Sequence, residues 1–132
     1  MKLCMLDTNM ISYLVRGNLK VKAALNIRSM DTCCISAIVE GELRYGLARH
    51  PAAVKLNGVI AETMSRFTVL AWDPATAKRY GVLRARLEAT GRRLAPLDML
   101  IAAHALAAGA VLVTSDRAFG QVEGLAVEDW TG

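Results

Sequence analysis

Proline is scarce, with Pro51, Pro74 and Pro96 the only three in 132 residues, and no long polar or low-complexity tract accompanies them. That combination argues against extensive disorder. Aromatic residues make up 5% of the chain. Trp72, Tyr80 and Trp130 could stack on bases, but side chains of this kind ordinarily anchor cores or interfaces, and no site is assigned to them. Cysteine is odd in number, and Cys4, Cys33 and Cys34 show neither C-x-x-C nor Cys/His spacing. A disulfide framework and a zinc site are therefore not expected, and the three read as buried reduced thiols of a cytoplasmic protein. Apolar runs are short and broken by charge, so no membrane span is expected. The amino terminus opens directly into the strand-like run Lys2 to Leu6, without the basic, apolar and cleavage-site succession of an export signal.

What is present is a hydrophobic fraction of 54%, ample for the core of one compact domain over residues 1–132, and a charged fraction of 21% with net charge +4. The positive balance favours a polyanionic partner without specifying one. Leu3 to Leu6 reads as a buried strand, with Asp7-Thr8-Asn9 as cap residues before a helix from Met10 to Val15. Thr32 to Ser36 repeats the strand and Ala37 to Arg49 the helix. Pro51 and Ala52 can open a helix to about Phe67, followed by a strand from Thr68 to Trp72. Asp73-Pro74 starts a helix to Thr90, ended by Gly91, and Pro96 starts another whose body, Leu97 to Ala108, is apolar nearly all round. Strands from Ala110 to Val113 and, at the edge, from Leu125 to Trp130 complete the pattern. Alternating strands and helices predict an α/β three-layer sandwich with a mostly parallel central sheet.

Acidic residues carry the chemistry. Asp7 and Asp116 each follow an apolar strand, where open parallel sheets bind ligands, though an acid there serves equally well as a helix cap. Glu42 falls among Ile38, Val39, Leu43 and Gly46 on the stripe facing the sheet, a costly place for an unpaired carboxylate. Glu40 lies on the other side, spaced for an ion pair with Arg44. Asp98 is the single acid of its helix, in the first turn, where the dipole alone would also favour it. If the fold gathers these four, their repulsion calls for a hard divalent cation, Mg2+ or Mn2+, bound through oxygen. Such a centre suits hydrolysis of a phosphodiester.

The order Met5-Leu6-Asp7-Thr8-Asn9, Ile35-Ser36 through Glu42-Leu43-Arg44-Tyr45-Gly46, Pro96-Leu97-Asp98-Met99-Leu100-Ile101-Ala102-Ala103-His104-Ala105 and Val113-Thr114-Ser115-Asp116 resembles a PIN domain, and more narrowly the VapC-type toxins. The likeness extends to Val127-Glu128-Asp129-Trp130. It implies a helix-flanked parallel sheet, Mg2+- or Mn2+-dependent endoribonuclease activity and a catalytic, metal-binding tetrad at Asp7, Glu42, Asp98 and Asp116. By the same resemblance Thr8 or Asn9 and the polar residues before the last acid support the metal site, which points to Asn9, Thr114 and Ser115, although all three suit simple capping. It further implies an RNA substrate, a small cognate antitoxin, and a homodimer within a larger toxin–antitoxin complex. The Glu-Asp-Trp ending resembles members that cut initiator tRNA in the anticodon loop.

Lys78, Arg79, Arg84, Arg86, Arg92 and Arg93 form a basic run. RNA contact is considered for Arg92 and Arg93, against the ordinary reading of a solvated face with Glu88 pairing to Arg84 or Arg92. His104 reads as a packed, hydrogen-bonded core histidine and His50 as a loop residue. A phosphorelay receiver domain would want adjacent acids after its first strand, where this chain has Asp7-Thr8-Asn9. A phosphatase with an aspartate nucleophile would want an acid at Asn9. A catalytically silent RNA-binding module would leave four acids without a purpose.

Overall fold

The computed structural model describes residues 2–132. Five strands, β1 (Cys4–Leu6), β2 (Cys33–Ser36), β3 (Thr68–Leu70), β4 (Val111–Val113) and β5 (Val127–Glu128), form one sheet in the order β3-β2-β1-β4-β5. Every pairing is parallel, with Cys4 opposite both Cys33 and Val111. The central strands β1, β2 and β4 are buried along their whole length, as continuous apolar runs in a covered parallel sheet require. The edges β3 and β5 are half-exposed.

Six helices flank the sheet: α1 (Thr8–Val15), α2 (Leu19–Asn26), α3 (Ala37–Arg49), α4 (Val54–Ser65), α5 (Pro74–Ala89) and α6 (Pro96–Ala108). This is the α/β sandwich the alternation predicted. Side-chain caps start most of them: Asp7, Asn18, Ser36 and Asp73 each accept a backbone N–H of the first turn. Gly109 ends α6 at φ 64°, a left-handed turn that glycine adopts without strain. Ile101 to Ala105 are buried consecutively because α6 is packed by α5 on one side and by α3 and β4 on others. The three cysteines are free and buried, and burial pushes the Cys34 thiol up to about 12.

The sequence reading has no counterpart of α2, and α4, β3 and β5 have other bounds than it gave, each for a local reason; α1 also opens at Thr8 rather than Met10. Helix α2 carries only one fully buried residue, Val21, so it shows no apolar stripe. It is held instead at its exit, where the Arg28 guanidinium stacks 4.5 Å over Trp130 and pairs with Glu128 at 3.4 Å. Helix α4 starts at Val54 rather than Pro51, because the Asn57 amide donates to the His50 carbonyl at 2.8 Å and closes the intervening turn. Strand β3 stops at Leu70, after which the Trp72 indole donates to the Leu100 carbonyl at 3.1 Å. Strand β5 is only Val127–Glu128, since the Trp130 indole folds back to Glu128 at 3.1 Å.

Candidate active site

The connections leave β1 in opposite directions, to β2 on one side and, after β3, to β4 on the other, so the topological switch point lies between β1 and β4. Ligand crevices of open α/β sheets form there, beyond the carboxyl ends of the strands. Asp7 and the Thr114-Ser115-Asp116 turn occupy that position. The Asp7 backbone N–H donates to the Val113 carbonyl at 3.1 Å, locking the two strand ends together. Its side chain is 5% exposed and accepts the Met10 N–H at 2.9 Å. The cap and the candidate ligand are thus the same carboxylate.

The neighbouring acids arrive from three further elements. Helix α3 presents Glu42, whose Oε1 accepts the Thr8 hydroxyl at 2.8 Å. Helix α6 presents Asp98 from its first turn, half-buried. Asp116 is exposed; its N–H donates to Thr114 Oγ1 at 3.0 Å and its Oδ1 accepts the Ala118 N–H at 2.9 Å. Burial pushes the Asp7 carboxyl above the ordinary carboxylate range, and the charges of Asp116 and Glu42 add to the rise against hydrogen bonds from Thr114 and Met10. Burial likewise raises Asp98, with Asp116, Glu42 and Asp7 all contributing in that order.

Four carboxylates therefore share one electrostatic field. Among the described residues none of them has a Lys or Arg within ion-pair distance; the ion pairs involve Glu128, Glu40, Glu62 and Glu88 instead. The side chains do not converge on a point either: among the described residues no three Asp, Glu, His or Cys groups stand where one ion could take all three. In donor chemistry the set suits a hard divalent cation, being all oxygen with no thiolate or imidazole among its members.

Residues 4–125 match the PIN domain. The chain belongs to the PIN-domain family. It is 36% identical over 129 residues to the tRNA(fMet)-specific endonuclease VapC of Shigella flexneri, an alignment covering 96% of this chain and 97% of the relative. Ribonuclease VapC2 of Haemophilus influenzae is 34% identical over 128 residues, with 96% of both chains covered. Among solved structures, the DNA-bound VapBC of Salmonella typhimurium superposes with a TM-score of 0.91 at 33% identity, covering 98% of this chain and 99% of that one. The PIN-domain resemblance of the sequence is thereby established, and its VapC relatives align with nearly the whole chain.

Of the supporting residues expected in this PIN domain, Thr114 is buried beside Asp7 and braces Asp116. Asn9 is exposed and Ser115 half-buried, and neither makes a side-chain hydrogen bond among the described residues. Thr8, the other residue considered at that position, reaches α3, where its hydroxyl donates to Glu42. A second brace lies deeper. His104, 3% exposed, meets Ser36 Oγ through Nδ1 at 2.7 Å, and the Ala71 backbone takes a hydrogen bond from the ring. Ser36 Oγ also accepts the Ile38 N–H at 3.0 Å. Donation by the Ser36 hydroxyl to Nδ1 and by Nε2–H to Ala71 satisfies every group. The pair ties α6, which carries Asp98, to the cap of α3, which carries Glu42. His104 is thus the packed core histidine its apolar helix predicts, but its partner, 68 residues away, had no sequence signal.

Proposed function

We propose that this protein is a Mg2+- or Mn2+-dependent endoribonuclease, the toxin of a toxin–antitoxin pair, which cuts the anticodon loop of initiator tRNA and so blocks translation. The observation that carries the reading is the unpaired acid cluster at the sheet's switch point. The VapC relatives supply the reaction class: the Shigella flexneri protein is named for cleaving tRNA(fMet), and the Salmonella typhimurium structure is of a VapBC complex.

In this reading Asp7, Glu42, Asp98 and Asp116 would supply the carboxylate oxygens for the divalent cation, and their side chains would have to close up before any three of them reached one ion. When bound, the ion neutralises charge on the phosphodiester and lowers the pKa of water that attacks it. Asp7 is the rigid member, fixed by Met10 and tucked beside Thr114. Glu42 is oriented through Oε1 by Thr8, which leaves Oε2 as the oxygen it would offer to the cation. Asp116 is the exposed member, with Oδ1 committed to the Ala118 N–H. For the antitoxin, a largely apolar groove of about 200 Å³ lined by Ser12, Val15, Arg16, Leu43, Leu56 and Ile60 offers a surface that a small protein partner can cover, and Val54 and Val59 are exposed on the same helix α4.

Cleavage of total cellular RNA by purified protein and by Asp7→Ala, with Mg2+, with Mn2+ and with chelator, tests this. Cleavage lost on chelation and on substitution is the expected result, with initiator tRNA fragments among the products. Intact initiator tRNA beside cleaved ribosomal RNA would refute the substrate, and no metal-dependent cleavage by folded, inhibitor-free protein would refute the activity.

A further inference from the structure

A groove of about 690 Å³ runs along α5 where it packs on the carboxyl-terminal half of α6. Lys78, Arg79, Arg86 and Arg92 line it, and Glu123 is the one acid among its lining residues. Lys78, Arg79 and Arg86 are exposed and form no ion pair among the described residues. Arg84 of the same helix, which does not line the groove, is committed locally to Glu88 at 3.6 Å and to the Tyr80 hydroxyl at 3.1 Å. Arg92 has a structural share, since one guanidinium nitrogen donates to the Gln121 carbonyl at 2.8 Å.

The groove is joined to the acid cluster through a short turn. Residues Arg117–Gln121 form the 3-10 turn capped by Asp116, and the Gln121 amide donates to the Arg93 carbonyl at 3.0 Å. A polyanion reaching the switch point meets four carboxylates that repel it. The fold must therefore gain affinity elsewhere, and this groove is concave, cationic and connected to the site. From Lys78 and Arg79 to Arg86 the helix advances by about 10–12 Å, enough to span more than one phosphate of an extended strand. Among the described residues no aromatic side chain lines the groove, so it offers charge without a stacking platform, and binding of that kind fixes position rather than sequence.

We infer that the α5–α6 groove is an RNA-backbone subsite that holds the phosphates flanking the scissile bond. The inference rests on the nuclease reading above. Lys78, Arg79 and Arg86 contact phosphates directly, while Arg92 shapes the groove's end. The subsite contributes to KM and salt dependence and leaves the chemical step alone.

The test compares Lys78→Gln/Arg79→Gln/Arg86→Gln with Lys20→Gln/Lys22→Gln/Lys55→Gln, which removes the same charge from α2 and α4. Binding of a fluorescein-labelled 12-nucleotide oligouridine is measured in the Asp7→Asn background by anisotropy, and cleavage of total RNA is measured with Asp7 intact. The groove variant is expected to bind at least tenfold more weakly, with a log–log salt slope shallower by about 2, since each neutralised phosphate of a single strand accounts for roughly 0.7 of that slope. Its KM rises while its kcat holds, and the control triple stays within about threefold of the parent. Equal losses in the two triples, or none in the groove variant, would overturn the subsite while RNA cleavage by the parent keeps the nuclease reading intact. A groove variant that still binds the oligouridine but no longer retains a polyglutamate peptide bound by the parent would assign the groove to an acidic protein segment and overturn the RNA subsite. A parent that cuts no RNA fails at the earlier step.

Discussion

Replacing Ser36 by Ala removes two interactions at once. The Ile38 N–H loses its cap, at a cost of about 1 kcal/mol, and the buried His104 Nδ1 loses its only partner, at a cost of about 1–3 kcal/mol. Together these amount to about 2–4 kcal/mol. For 132 residues the unfolding entropy is about 0.3 kcal/mol/K, so Tm should fall by about 7–14 °C. The double variant Ser36→Ala/His104→Leu removes the orphaned nitrogen together with its partner, and should lie about 1–2 kcal/mol above the sum of the single effects. Burial holds the His104 imidazole below its ordinary value, so under acid the unfolded chain takes up a proton that the folded chain refuses. The contribution of His104 to stability is thus full above about pH 6.5 and declines as pH falls below it, a slope that His104→Leu should lose. Thermal unfolding followed by far-UV circular dichroism between pH 5 and 8 measures all three quantities. A Tm shift under about 3 °C for Ser36→Ala, or strict additivity in the double variant, would show that the Ser36–His104 hydrogen bond does not bind α6 to α3.

Three other perturbations read the site and its supports. Asp7→Asn keeps the cap to Met10 but removes a charge whose folded pKa is raised by burial and by Asp116 and Glu42. Because the native state holds that proton more tightly than the unfolded state, stability falls as pH rises from about 3.8 through the raised value. In chelator, the variant should therefore melt higher than the parent near pH 7.5, lose that advantage near pH 3.5, and cut no RNA; equal melting at pH 7.5 would contradict the sign. Thr8→Val removes the 2.8 Å hydrogen bond to Glu42 without changing volume, and a bond to a carboxylate of about 1.5 kcal/mol predicts a roughly tenfold loss of kcat/KM. Thr8→Ser should restore most of it, and an unimpaired Thr8→Val would remove Thr8 from the machinery. Arg28→Met gives up the stack on Trp130 and the pair with Glu128, at about 1–2 kcal/mol. Hydrogen exchange should then rise in α2 ahead of the core while cleavage persists; uniform exchange across the molecule would mean that α2 is held by something else.

The legible part of the fold was the part built on burial. β1, β2 and β4 announce themselves because strands covered on both faces must be apolar at every position, and α6 does the same because several elements pack around it. Helix α2 illustrates the opposite case. Leu19 and Ile27 are 80% and 82% exposed, so its hydrophobic residues do not mark an inward face. What secures it is Arg28 against Trp130 and Glu128, an interaction across 100 residues of chain that no local pattern encodes. Strand order was hidden for a related reason: alternation gives the parallel class, while the position of β4 beside β1 depends on side chains of distant segments fitting together.

The candidate site divides along the same line. Asp7 and Asp116 were visible because strand ends are functional positions in this architecture, and Asp98 because it is the only charge on an apolar helix. Helical periodicity singled out Glu42 as buried and set it apart from Glu40, paired with Arg44 at 3.2 Å; the structure leaves Glu42 half-buried like Glu40, and what distinguishes it is the hydrogen bond from Thr8. Periodicity did not reveal which residue of the first turn of α1 faces α3. Adjacent helical residues differ by about 100° in direction, so a one-position error turns a brace into a solvated side chain. Thr8 points at Glu42 and Asn9 at solvent, and only the packed orientation of α1 decides between them. The acids are thus written along the chain, whereas the hydroxyls that aim them are written in the packing. Substituting Thr8 and Ser36 asks whether the acids alone make the site or whether their orientation does.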